Sequence, residues 1–91
     1  MGMLHIEKTY SDGTFNTFLV EGLSFDDLNE VLDAPEHGKD ERDVLVDVMG
    51  RYENDSSYGS NIAEAWRCGY GIYGIRHFGG HLLIRVGMSC D

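Results

Sequence analysis

The chain has 91 residues, of which 42% are hydrophobic and 11% aromatic, and it carries sixteen Asp and Glu against seven Lys and Arg, a net charge of −9. That length suits one domain with one core, and the apolar content argues against disorder. The acidity disfavours direct binding to nucleic acid or anionic membranes, which demand clustered Lys and Arg, and no apolar run is long enough to cross a bilayer.

We therefore expect a soluble, cytoplasmic protein forming a single domain over 1–91. Met1-Gly2-Met3 reads as a native start at Met3 preceded by two added residues. Charge is uneven along the chain. Residues 1–65 hold fifteen acids against Lys8, Lys39, Arg42 and Arg51, whereas residues 66–91 hold Arg67, Arg76 and Arg85 against Asp91 alone.

In chain order, residues 4–21 predict a β-hairpin. Leu4, Ile6 and Tyr10 alternate with polar neighbours, and Asp12-Gly13 is a strong turn signal because glycine accepts positive φ. A two-residue loop pairs Tyr10 with Phe15 and Ile6 with Leu19. A three-residue loop pairs Ile6 with Phe18 and Leu4 with Val20. The alternation suits both registers.

A helix follows with Ser24 as N-cap, Leu23 and Leu28 as a hydrophobic staple, and Asp27 at the third helical position as an acidic variant of the capping box. Phe25, Leu28 and Leu32 mark its apolar face, widened by Val31, and Pro35 ends it. Residues 40–52 fit a second helix capped at Asp40, with Val44, Leu45, Val48, Met49 and Tyr52 on one side. The β-branched run Val44–Val48 also fits a buried strand, and the helix is the preferred reading. Residues 54–60 read as a polar loop. Ser60 or Asn61 then caps a short helix bearing Ile62, Ala65 and Trp66, which Gly69 ends.

A second hairpin spans residues 70–87 and turns at Gly79-Gly80. It places Tyr73, Ile75 and His77 opposite Val86, Ile84 and Leu82 on an apolar face. Ile72, Gly74, Arg76 and Phe78 face the other way with His81, Leu83, Arg85 and Gly87. The expected fold is α+β: an antiparallel sheet from two β-hairpins, about 4–21 and 70–87, packed on two or three short helices.

No pattern of catalytic residues stands out. Cys68, His77, His81 and Cys90 include zinc-ligand types, but they lack close pairs and the hairpin puts the two histidines on opposite faces. Cys68 lies at a helix end, where the dipole disfavours a thiolate. Gly69 to Gly74 lacks dinucleotide-loop spacing. We expect no enzyme activity, no metal and no cofactor.

Two surfaces remain. Arg76, Phe78, His81 and Arg85 form a candidate anion contact on the second hairpin. Asp26, Asp27, Glu30, Asp33, Glu36, Asp40, Glu41, Asp43 and Asp47 form a candidate partner-binding surface, acidic enough to imitate a nucleic-acid backbone before a basic protein or nucleoprotein complex. The expected function is accordingly a non-enzymatic inhibitor that contacts neither nucleic acid nor membrane, a profile shared by small phage-encoded inhibitors of CRISPR or restriction complexes. The alternatives are an assembly subunit that pairs through a hairpin edge and a weak single-stranded nucleic-acid binder.

Overall fold

The structure, a computed structural model, describes residues 2–68 and 71–87. Strands β1 (Met3–Ser11) and β2 (Phe15–Glu21) form the first hairpin, and helices α1 (Phe25–Leu32) and α2 (Glu41–Met49) follow, joined by a 3₁₀ turn over Ala34–His37. The short β3 (Glu53–Asn54), helix α3 (Tyr58–Arg67) and the hairpin β4 (Ile72–Phe78) and β5 (His81–Gly87) complete the order. The five strands lie in the order β3-β1-β2-β5-β4. All neighbours are antiparallel except β3, which runs parallel to β1 through Met3 and Leu4.

The core lies between one face of this sheet and the helices. Leu4, Ile6, Phe18, Val20, Ile72, Leu82, Ile84 and Val86 meet Leu28, Val31, Leu45, Val48, Met49, Ile62 and Ala65 in a single buried cluster. The α+β architecture with two hairpins thus matches the expected fold, and its opposite sheet face is left without a helix layer. No helix among the described residues is long and apolar enough to cross a membrane.

Both hairpins depart from the expected registers through β-bulges. In the first, Ile6 pairs with Val20 and Lys8 with Phe18, then a bulge at Thr9 shifts the pairing to Tyr10 with Thr17 and Ser11 with Asn16. Neither register read from the sequence is adopted. The turn is also one residue later, at Gly13-Thr14, with Asp12 N–H donating to the Phe15 carbonyl at 3.2 Å. Asp12 Oδ1 accepts from Thr14 N at 2.9 Å and Phe15 N at 2.8 Å, which fixes this position. Gly13 has φ 86° and Thr14 does not share the positive sign, the pattern of a type II′ turn. In the second hairpin the pairing from Phe78–His81 to Gly74–Arg85 follows the Gly79-Gly80 turn as expected. A bulge at Tyr73 then puts Ile72, not Tyr73, opposite Val86. Ile72 is 1% exposed and Tyr73 62%. An aliphatic side chain replaces an aromatic one in the core, and the tyrosine moves to the open face.

The ambiguous segment is helical, with Asp40 Oδ1 capping Arg42 N at 2.9 Å. Helix α1 begins at the Ser24 cap, as its sequence predicts. Phe25, however, is 77% exposed, whereas Leu23, on the other side of the cap, packs against the core. The buried face is Leu28 and Val31, with Leu32 half-buried. Residues 54–60 are not all loop. Helix α3 starts at Tyr58, ahead of the expected caps, and Gly59 is buried against Asn54. Gly69 and Tyr70, placed at a helix end and a strand start by the sequence, lie outside the described residues, as does Cys90.

Candidate functional site

The first candidate surface begins with the pairing of α1 and α2. Arg51, just beyond α2, donates to Asp27 Oδ1 at 2.9 Å, to Glu30 Oε1 at 3.0 Å and Oε2 at 3.2 Å, and to Asp47 Oδ2 at 3.1 Å. Carboxylates from two helices are thereby gathered around one guanidinium. Glu30 contributes most to pushing the already high Arg51 pKa upward. Tyr52 supports the same corner: its hydroxyl donates to Asp27 Oδ2 at 2.5 Å and accepts from Ser24 N at 2.9 Å. The tyrosine hydrogen bond is the main reason the Asp27 carboxyl is held below the usual carboxylate range, ahead of Ser24 and Arg51.

Farther along α2, Asp40 binds the Arg42 side chain through both carboxylate oxygens, each at 2.9 Å. The Arg42 guanidinium lies 4.8 Å from the Trp66 ring centre, and Trp66 Nε1 donates to Asp43 Oδ1 at 2.6 Å. Asp40, Asp43 and Asp47 recur at helical spacing, so they share one side of α2, about 5–6 Å apart in sequence order. The carboxylates of Asp26, Asp33, Glu36 and Glu41 take no ion pair or hydrogen bond from a described residue. Over 26–51 nine acids face three bases, Lys39, Arg42 and Arg51, leaving a local charge of −6.

The second surface is the sheet face without helices. Arg76 and Arg85 come from neighbouring strands, in the pairs Arg76–Leu83 and Gly74–Arg85 on the same face, two positions apart in the ladder, as the sequence predicts. They line a cleft of about 490 Å³ with Tyr10, Thr17, Tyr73 and Leu83. The Arg85 guanidinium sits 4.1 Å from the Phe15 ring centre, and Phe15 meets Tyr73 edge-on at 5.1 Å. Phe78 and His81 share the face but lie toward the Gly79-Gly80 turn, apart from the cleft. Phe78 is 67% exposed, and His81 Nδ1 stands 3.5 Å from Glu21 Oε2. The expected anion patch therefore divides into an arginine pair inside the cleft and an aromatic–imidazole pair outside it.

Tyr10, Phe15, Thr17 and Tyr73 were absent from the expected patch. Phe15 and Thr17 arrive through the pairing of β2 with β5, a contact between distant segments that strand periodicity does not specify, and Tyr10 follows through its pairing with Thr17 after the Thr9 bulge. Tyr73 arrives through the bulge. A bulge beside paired glycines was the one local signal for it, in the Gly71 to Gly74 stretch.

No group of three or more His, Cys, Asp or Glu stands together as a metal site among the described residues. His77 pairs with Leu82 and His81 with Phe78, so the two imidazoles occupy opposite faces. Cys68 is exposed at the end of α3. Comparison with protein-family models, curated proteins and solved structures finds no match for this chain.

Proposed function

We propose that the protein is a non-enzymatic binding protein whose acidic α1–α2 side occupies the basic, nucleic-acid-handling groove of a partner protein or nucleoprotein complex, as a phage-encoded inhibitor of a CRISPR or restriction complex would. The observation that carries this reading is the convergence of Asp27, Glu30 and Asp47 on Arg51. It makes the acids of two helices parts of one surface. A surface held by hydrogen bonds loses less freedom on binding than scattered flexible carboxylates, and its charge steers a basic partner.

The test uses the four acids whose carboxylates take no ion pair or hydrogen bond from a described residue. A variant carrying Asp26→Lys, Asp33→Lys, Glu36→Lys and Glu41→Lys should keep the native circular-dichroism spectrum. The wild-type protein should capture a basic nucleic-acid-binding protein from a host lysate, nucleic acid should displace that protein, and the variant should capture none. Equal capture by wild type and variant, or capture that nucleic acid leaves intact, would refute the reading.

A further inference from the structure

The cleft on the open sheet face pairs two features that the acidic surface does not use. Among the described residues its arginines take no salt bridge, in a chain with sixteen acidic side chains, although the charge of Arg85 reaches Asp12 and helps hold that carboxyl low. Arg42 and Arg51, by contrast, are each bound by carboxylates. The nearest acid in the cleft wall, Asp12, already receives the backbone N–H groups of Thr14 and Phe15. Two guanidiniums on the same face of neighbouring strands therefore line the cleft without a salt bridge to a described residue, with donors in the fork geometry suited to phosphate oxygens.

Two tyrosines stand among the remaining lining residues. Tyr10 and Tyr73 are 59% and 62% exposed, large ring surfaces that a monomer gains nothing by leaving wet. Gly74, which has no side chain, lies in the lining beside Tyr73 and Arg85. At about 490 Å³ the cleft lies within the range of small-molecule sites. An anion alone would need no rings, and an apolar ligand would need no arginines.

We propose that this cleft holds one nucleotide unit, a planar base stacked on the tyrosines with its phosphate on Arg76 and Arg85. The unit comes either as a free mononucleotide or as one residue of a short single strand. A long polyanion is disfavoured, because the chain as a whole carries a net charge of −9. The cleft opens on the sheet face opposite the helices, and only its Tyr73–Gly74 edge borders the start of α2 at Asp40 and Glu41, so this assignment is tested by its own arginine and tyrosine variants.

The test is a titration of ¹⁵N-labelled full-length protein followed by amide chemical shifts. The probes are adenosine monophosphate, a thymidine pentanucleotide, inorganic phosphate and an acidic peptide. Adenosine monophosphate or the pentanucleotide should shift Thr17, Tyr73, Gly74 and Arg85, and the tighter of the two identifies the source of the nucleotide. The double variant Arg76→Gln, Arg85→Gln should weaken binding at least tenfold with the core amides unmoved. Tyr73→Ala should weaken the nucleotide but not phosphate. The four-lysine variant described above should bind no more weakly than wild type. The assignment is overturned by an absence of shifts at millimolar nucleotide, by equal affinity in the Arg76→Gln, Arg85→Gln variant, or by phosphate or the peptide binding as tightly as the nucleotide.

Discussion

Asp27 is one methylene shorter than the glutamate that closes a usual capping box, and Tyr52 bridges the difference. Ser24 Oγ accepts from Asp27 N at 3.2 Å, while Ser24 N reaches Asp27 only through the tyrosine hydroxyl. Tyr52→Phe removes both hydroxyl bonds and should cost about 1–2 kcal/mol at neutral pH. Because the Asp27 pKa is lowered in the folded state, its stabilisation is present above the ordinary carboxylate range and is lost as pH falls through the lowered value. The deficit of the variant, read from urea unfolding, should therefore be larger at pH 7 than at pH 3.

His5 offers the opposite sign. Its Nδ1 hydrogen-bonds Asp55 Oδ2, whose other oxygen accepts from Ile6 N at 3.2 Å. Asp55 raises the His5 pKa, first through the hydrogen bond and then through charge, and His5 in turn lowers that of Asp55. The imidazolium contribution is full below the unfolded value of about 6.5 and disappears as pH rises through the raised folded value. The carboxylate contribution is lost in acid. Asp55→Asn should thus destabilise more at pH 6 than at pH 8.5, and an NMR titration should return His5 toward its ordinary value.

At the scale of elements, Arg51 is the tie between α1 and α2. Arg51→Met leaves Asp27, Glu30 and Asp47 facing one another without a cation, and should lower the thermal midpoint. Added salt should recover part of that loss, because the remaining repulsion is exposed and screened. The start of α3 depends on a steric fit instead. A Cβ on Gly59 would fall 2.5 Å from Asn54 Oδ1, itself buried without a hydrogen-bond partner. Gly59→Ala should cost about 1–3 kcal/mol by overpacking. In an Asn54→Ala background, which removes the clashing atoms, the same change should cost little; the coupling in a double-mutant cycle measures the contact. The two bulges belong here as well. Each inserts one residue: Thr9 shifts the pairing beyond Lys8, and the bulge at Tyr73 puts Ile72 in the core in place of the tyrosine.

For the molecule as a whole, the acidic helices and the arginine cleft are separate outputs of one layered design. One sheet face is covered by helices whose outer sides carry the acids, and the other is left open. Local chemistry along the chain determined much of this. Ser24 and Asp40 cap helices, Gly79-Gly80 turns a hairpin, and the alternation of Leu4, Ile6, Leu82 and Ile84 marks a core, because each signal acts within a few residues. Tertiary structure decided the rest. Arg51 finds three carboxylates, Tyr52 completes a distant cap, and β2 joins β5 to bring Phe15 and Tyr10 beside Arg85. These contacts link segments whose proximity comes from burying a shared core, and nothing in the spacing of the residues themselves encodes them.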